Sequence, residues 1–208
     1  MKTTNIDLLY LLLPLVLWPA TFIVFKSQFI YAMSISTLIL GTFTLLRYRR
    51  YIRWSKGGLA SVFAWGLAGA ALLYAIFFIG YLIAIHLGMV GYVYQVYSEI
   101  YSQNGFILTA VLLALIGVFE ELYWRGGLQG YMDKRPGKFK GKGWLAAALY
   151  YSLVHISTLN PVLVVAAMFV GFTASTIAYK RGIAASTITH VVWIELIVLI
   201  LPVFHILV

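Results

Sequence analysis

The stretch Leu108-Thr109-Ala110-Val111-Leu112-Leu113-Ala114-Leu115-Ile116-Gly117-Val118-Phe119-Glu120-Glu121-Leu122-Tyr123-Trp124-Arg125 decides how this chain is read. Residues 108–119 carry no charge, and two carboxylates follow them directly. An apolar run of this kind belongs in lipid. Ionisable groups at membrane depth are costly, so they mark a functional interior rather than a lipid-facing surface. Arg125 stands four residues after Glu121, the favourable order for an ion pair on one helix face. Glu120 is turned by about 100° from its neighbour around the helix, free of that partner and able to face a bundle centre.

Composition extends this reading to the whole chain. Of 208 residues only 10% are charged and 62% are apolar, whereas a soluble domain carries about a quarter charged residues. Lipid is therefore the solvent for most of the protein, and helices satisfy the backbone there. Apolar runs at about 6–25, 29–46, 59–87, 106–121, 144–160, 161–179 and 183–201 predict an all-α, polytopic transmembrane bundle of about seven spans, with six to eight as the range. Pro14 and Pro19 are placed to kink the first span. Residues 88–105 hold four tyrosines and no Lys or Arg, which suits a segment at the membrane interface. The length leaves room for one transmembrane domain, 1–208.

The net charge of +9 sits in short loops. With the N-terminus inside, Lys2, the 47–56 loop, the 125–142 loop and Lys180-Arg181 all become cytoplasmic, and only Lys26 is left outside. That is the positive-inside pattern of a multi-pass cell-membrane protein, so the basic balance needs no nucleic-acid partner. The partner it does imply is membrane lipid. The chain has no cysteine, which removes disulfides, thiolate metal sites and cysteine nucleophiles.

Two histidines share the carboxylates' depth. At the rise of a helix, Glu120 lies about 21 Å back from Lys134, His155 about 20 Å in from Lys142 and His190 about 14 Å in from Arg181. Three spans thus bring a carboxylate and two imidazoles to one layer, reached in this reading from the cytoplasmic side. A carboxylate and imidazoles sharing a water can activate it: the acid is the base, one His holds or shares the proton, another stabilises an oxyanion. Peptide-bond hydrolysis is the natural reaction class. There is no His-Glu-x-x-His helix and no Gly-x-Ser-x-Gly elbow. The chemistry calls for no cofactor; zinc held by Glu120, His155 and His190 is the second choice. His86 and His205 fall outside the layer.

At these residues the chain resembles the CAAX-protease and bacteriocin-processing (Abi) family of intramembrane glutamic endopeptidases. Glu120-Glu121-Leu122-Tyr123-Trp124-Arg125 matches its Glu-Glu-x-x-x-Arg motif, and Tyr151 through His155 matches aromatic-x-x-x-His, with Tyr for the more usual Phe. The third motif, His-x-x-x-Asn or Asp, is half matched: His190 is present, but Ile194 stands at the amide position. The resemblance covers about 106–195. It implies that Glu120 is the catalytic base, His155 its partner in binding the water and His190 part of the oxyanion site, with Glu121 and Arg125 in support and no metal. It also implies a membrane-associated peptide or protein substrate, lipidated ones included.

Ile194 departs from that pattern, because an apolar side chain donates nothing to an oxyanion. Losing one such donor typically costs about 2.7–4 kcal/mol of transition-state stabilisation. Asn160, Thr187 and Thr189 are the candidate substitutes, while Glu195 is one residue off the required face. Two other readings stand beside the peptidase: a non-catalytic membrane immunity or scaffold protein of the same family, and, less favoured, a proton-coupled transporter using Glu120 and the histidines as a relay.

Overall fold

The computed structural model describes residues 5–101, 105–134 and 140–205. Lys2, Arg135, Pro136 and Lys138 lie outside the described residues. All the regular structure described is helical. Helix α1 (Asn5–Pro19) runs on through a wider π turn, Ala20–Val24; α2 (Phe29–Phe43) does the same over Thr44–Tyr48. Then come α3 (Leu59–His86), the short α4 (Val90–Tyr101) and α5 (Phe106–Glu121). A π segment, Leu122–Leu128, joins α5 to α6 (Gln129–Lys134). Helix α7 (Gly143–Val154) ends in a 3-10 turn, His155–Thr158, and is followed by α8 (Pro161–Arg181) and α9 (Ile183–Glu195).

Six helical stretches are long and apolar enough to cross a bilayer: Asn5–Val24, Lys26–Tyr51, Leu59–His86, Phe106–Lys134, Pro161–Arg181 and Ile183–Ile200. The protein is a polytopic membrane protein. The predicted span at 144–160 forms as a helix but stops short, because Leu159 turns left-handed (φ 54°) and breaks it. Asn160 then caps α8, its side-chain oxygen accepting from the Leu163 N–H, with Pro161 at the first helical position. The fourth span, expected to end at the acid pair, continues through the π segment to Lys134. In α1, Pro14 stays inside regular helix, and the turn widens just after Pro19.

Helices α1, α2, α3, α5, α7 and α8 turn large apolar side chains outward, such as Leu8, Leu12 and Leu15 of α1 or Phe63, Leu67, Ile79 and Ile83 of α3. In lipid that surface is at home, so specific association rests on close packing through small residues. Gly66 and Gly69 of α3 abut Ile188 and Thr189 of α9, and Gly117 of α5 abuts Val191. Gly41 of α2 receives Phe119 of α5, and Gly171 of α8 lies on Ala148 of α7. These contacts put α5 against both α2 and α9, in the middle of the bundle.

The basic segments gather at one end. The Lys56 N–H donates to the Arg181 carbonyl, Ile183 to Arg53 and Ala184 to Trp54. Lys134 donates to the Arg50 carbonyl, and Tyr48 donates to Asp7 near the start of α1. At the opposite end of α2, Lys26 pairs with Glu99 of α4 at 3.2 Å. The charge asymmetry read from the sequence is thus an asymmetry of the folded bundle. A side chain at Gly69 would press on Ile177 and on the Thr189 hydroxyl. Gly69→Val is expected to destabilise the bundle by about 1–3 kcal/mol, seen as a lower unfolding temperature in detergent; Gly80→Val, with open space around it, leaves that temperature unchanged.

Candidate functional site

The acid pair lies deep inside the bundle, with Glu120 2% and Glu121 0% exposed. Glu121 is engaged through one oxygen. Its Oε1 lies 2.9 Å from Arg125 Nη1, an ion pair on one helix flank, and 3.0 Å from His190 Nδ1. Arg125 is itself held on two further sides: Nη2 donates to the Val170 carbonyl at 3.3 Å, and the guanidinium lies over the Tyr151 ring, 4.6 Å from its centroid. Of the two acids, Glu121 is paired with a guanidinium and Glu120 is not.

The π segment Leu122–Leu128 makes this possible. All seven of its residues are buried. A π turn adds a residue per turn, and such segments recur at functional sites. It is anchored on the first two helices: the Tyr123 hydroxyl donates to the Tyr10 carbonyl at 2.7 Å, and the Tyr10 and Thr44 hydroxyls share a bond of 2.9 Å. Gly127 faces that bond at a distance that leaves no room for a Cβ.

Glu120 has a different environment. One oxygen, Oε2, accepts from the Tyr151 hydroxyl at 3.0 Å and lies 3.6 Å from His190 Nε2. The other, Oε1, has no hydrogen-bond partner among the described residues. With His190 Nδ1 turned to Glu121, its Nε2 is turned to Glu120, so the neighbouring carboxylate fixes which face of the ring meets the site.

His155 begins the 3-10 turn after α7 and is buried. Its Nδ1 lies 2.7 Å from the Tyr151 carbonyl and so carries the proton there; Nε2 faces the Trp18 indole N–H at 3.4 Å. That second contact is long for a hydrogen bond. His155 therefore lines the same space as Glu120 without touching it, and the imidazole nearest Glu120 is that of His190. Among the described residues, no group of three His, Asp or Glu side chains is arranged to hold a metal ion.

Glu120, Tyr151, His155, His190 and Ile194 line one cavity of about 650 Å³. Its other walls are apolar, with Phe22, Met33, Phe77, Val93 and Phe169 among them. The cavity runs the other way from the expected one. Its α3 wall is 76–87, its α8 wall 161–169 and its α9 wall runs on from His190, the halves of those helices farthest from the basic loops. The basic side is closed instead by the buried π segment and by Trp18, Trp124 and Tyr10 around it. Depth along a helix places residues in a layer but does not say which side of the layer is open.

The substitutes named for the missing amide are otherwise engaged or elsewhere. The Asn160 amide donates to the Tyr92 carbonyl at 2.9 Å, and Thr189 donates to the Gly66 and Ala185 carbonyls. Neither they nor Thr187 and Glu195 line the cavity. His86 is exposed at the far end of α3; the side chain of His205 is not among those described. The polar group of the cavity that sequence reasoning passed over is the Tyr151 hydroxyl, whose only signal was Tyr where Phe is usual.

Residues 101–194 match a family model described as type II CAAX prenyl endopeptidase Rce1-like, which bears out the resemblance carried by the motifs. No curated protein and no solved structure matches the chain.

Breaking a buried pair by removing one partner strands a charge, at a cost of about 3–5 kcal/mol. Arg125→Met is expected to show that loss in detergent unfolding, and adding Glu121→Leu to it to recover much of the stability. Equal stability of wild type and Arg125→Met would contradict this description of the network.

Proposed function

We propose that this chain, whose residues 101–194 match the Rce1-like type II CAAX prenyl endopeptidase model, is an intramembrane endopeptidase of the glutamic type. It hydrolyses a membrane-associated peptide or protein with a water activated by Glu120. The observation that carries this reading is the asymmetry of the Glu120 carboxylate: Oε2 accepts from Tyr151 and has His190 Nε2 3.6 Å away, while Oε1 has no hydrogen-bond partner among the described residues and can accept from a water.

The chemistry follows from the positions. A water hydrogen-bonded to Glu120 Oε1 gives up its proton to the carboxylate as its oxygen attacks the scissile carbonyl. His155 Nε2, only loosely met by Trp18, exchanges that contact for the same water and orients it. The carbonyl π electrons move to oxygen, and His190 Nε2 stands beside the developing charge. When the tetrahedral intermediate collapses, the C–N bond breaks and the amine leaves with the proton that Glu120 held. No metal takes part in this scheme.

The cavity walls support a substrate class. Its apolar walls fit a chain segment bearing apolar or lipidated side groups, and its narrow polar layer fits one peptide bond. With the basic end on the cytoplasmic side of the cell membrane, by the positive-inside rule, such a segment reaches Glu120 through the half of the bundle farther from the cytoplasm. One observation favours the family's non-catalytic alternative: Ile194 forms part of the cavity wall where a donor was expected.

A quenched fluorescent peptide ending in a farnesylated CAAX sequence, added to purified protein in liposomes, separates these readings. Wild type is expected to cleave it and Glu120→Gln to lose about 10²–10⁴-fold in turnover, the usual contribution of a positioned base. Unchanged cleavage by Glu120→Gln sinks the glutamic mechanism. Absence of cleavage by wild type, together with full biological effect of Glu120→Gln in cells, establishes the immunity or scaffold reading instead.

A further inference from the structure

The site lacks the amide expected at Ile194, yet two polar groups converge on one of its oxygen atoms. The Tyr151 hydroxyl and His190 Nε2 both point at Glu120 Oε2, at 3.0 and 3.6 Å. They come from different helices, α7 and α9, and both line the cavity. With His190 protonated on both ring nitrogens, the two are donors aimed at a single point, in a space walled off by apolar side chains, the arrangement that stabilises a negative oxygen.

Resting on the peptidase reading, we propose that the Tyr151 hydroxyl is a catalytic residue: the oxyanion donor that replaces the amide missing at position 194. In the resting enzyme the hydroxyl donates to Glu120, the strongest acceptor within reach. As Glu120 takes the proton from the attacking water, its carboxylate becomes a neutral acid and a much poorer acceptor. At that moment the substrate carbonyl oxygen gains the charge that Glu120 loses. The hydroxyl then swings its hydrogen bond from Glu120 Oε2 to the oxyanion beside His190 Nε2. Collapse of the intermediate reforms the carbonyl, returns the proton through Glu120 to the departing amine and restores the Tyr151–Glu120 bond. No proton leaves Tyr151 at any stage, so the step adds a moving hydrogen bond and no further acid–base chemistry.

Rigid packing aims the hydroxyl. The Tyr151 ring lies under the Arg125 guanidinium, packs edge-on to Trp124 at 5.2 Å between centroids, and meets the His155 ring at 4.6 Å. These contacts hold the ring while leaving the hydroxyl hydrogen free to rotate. Another buried donor stands close by: the Trp193 indole N–H has no partner among the described residues, and its ring packs on His190. Trp193 is the rival for the same role, but Tyr151 alone of the two is on hydrogen-bond terms with Glu120.

Kinetics on the farnesylated CAAX peptide test the assignment with Tyr151→Phe, Ile194→Asn, the double variant and Trp193→Phe. Tyr151→Phe keeps the ring and its packing, and is expected to retain the wild-type unfolding temperature. Its kcat is expected to fall about 10²–10³-fold with KM little changed, as for removal of one oxyanion donor. Adding Ile194→Asn, which puts an amide one turn from His190 on the cavity wall, is expected to recover most of that loss. A residue that merely positions Glu120 would show no such rescue. Unchanged kcat in Tyr151→Phe, failure of the double variant to recover, or a loss confined to Trp193→Phe overturns the assignment and leaves the peptidase reading standing. A wild type that cleaves nothing overturns both.

Discussion

A guanidinium and a carboxylate, both fully buried at membrane depth, meet at 2.9 Å in the centre of this bundle. Each ion taken out of water carries a penalty of several kcal/mol even after relaxation, so such a pair persists only where its surroundings are fully arranged around it. The fold meets that demand. Gly117 and Gly41 let α9 and α2 close on α5, the π segment keeps Arg125 inside, and the Val170 carbonyl and the Tyr151 ring flank the guanidinium. Glu121, neutralised on one side, then holds His190 by Nδ1 on the other. From that single pairing follow the orientation of the imidazole, the approach of Nε2 to Glu120 and the separate fate of the two adjacent acids.

Around this polar layer the protein is apolar. The cavity wall carries almost nothing polar beyond Glu120, Tyr151, His155 and His190. In such a medium every hydrogen bond and charge contact gains strength compared with water. The same surroundings make a peptide bond difficult to bring in unless its flanking groups are apolar, and they limit the water that arrives with it. Substrate choice and catalytic power thus have one physical origin in the proposed enzyme. The division between the two ends of the bundle adds direction, because aromatic rings close the side nearest the basic loops.

Much of this was legible in the residues. The long spans follow from bilayer thickness, and the boundary at Asn160-Pro161 was read at the same place that the structure caps α8. The Glu121–Arg125 pair follows from helix periodicity, and it survives even though π turns intervene. Other features leave no trace in periodicity. The widening after Glu121 depends on how α1 and α2 pack against it through Tyr10 and Thr44. The left-handed turn at Leu159 shortens α7 and is a tertiary outcome. Depth placed both histidines in one layer with Glu120, and all three line one cavity, but only side-chain geometry shows that His190 rather than His155 stands next to Glu120. The direction of the cavity was misread for the same reason, since it depends on which bulky side chains fill each half. The Tyr151 hydroxyl was visible as a departure from a pattern, and its meaning came only from the oxygen it touches.

The central claim is that Glu120 activates a water inside the membrane, and an experimental map that resolves ordered water tests it most directly. The account predicts one water within about 2.6–3.2 Å of Glu120 Oε1, the reach of a general base, with His155 Nε2 as its second partner and Glu121 still paired to Arg125. A map with Glu120 turned to lipid, or with no water between it and His155, would contradict that claim.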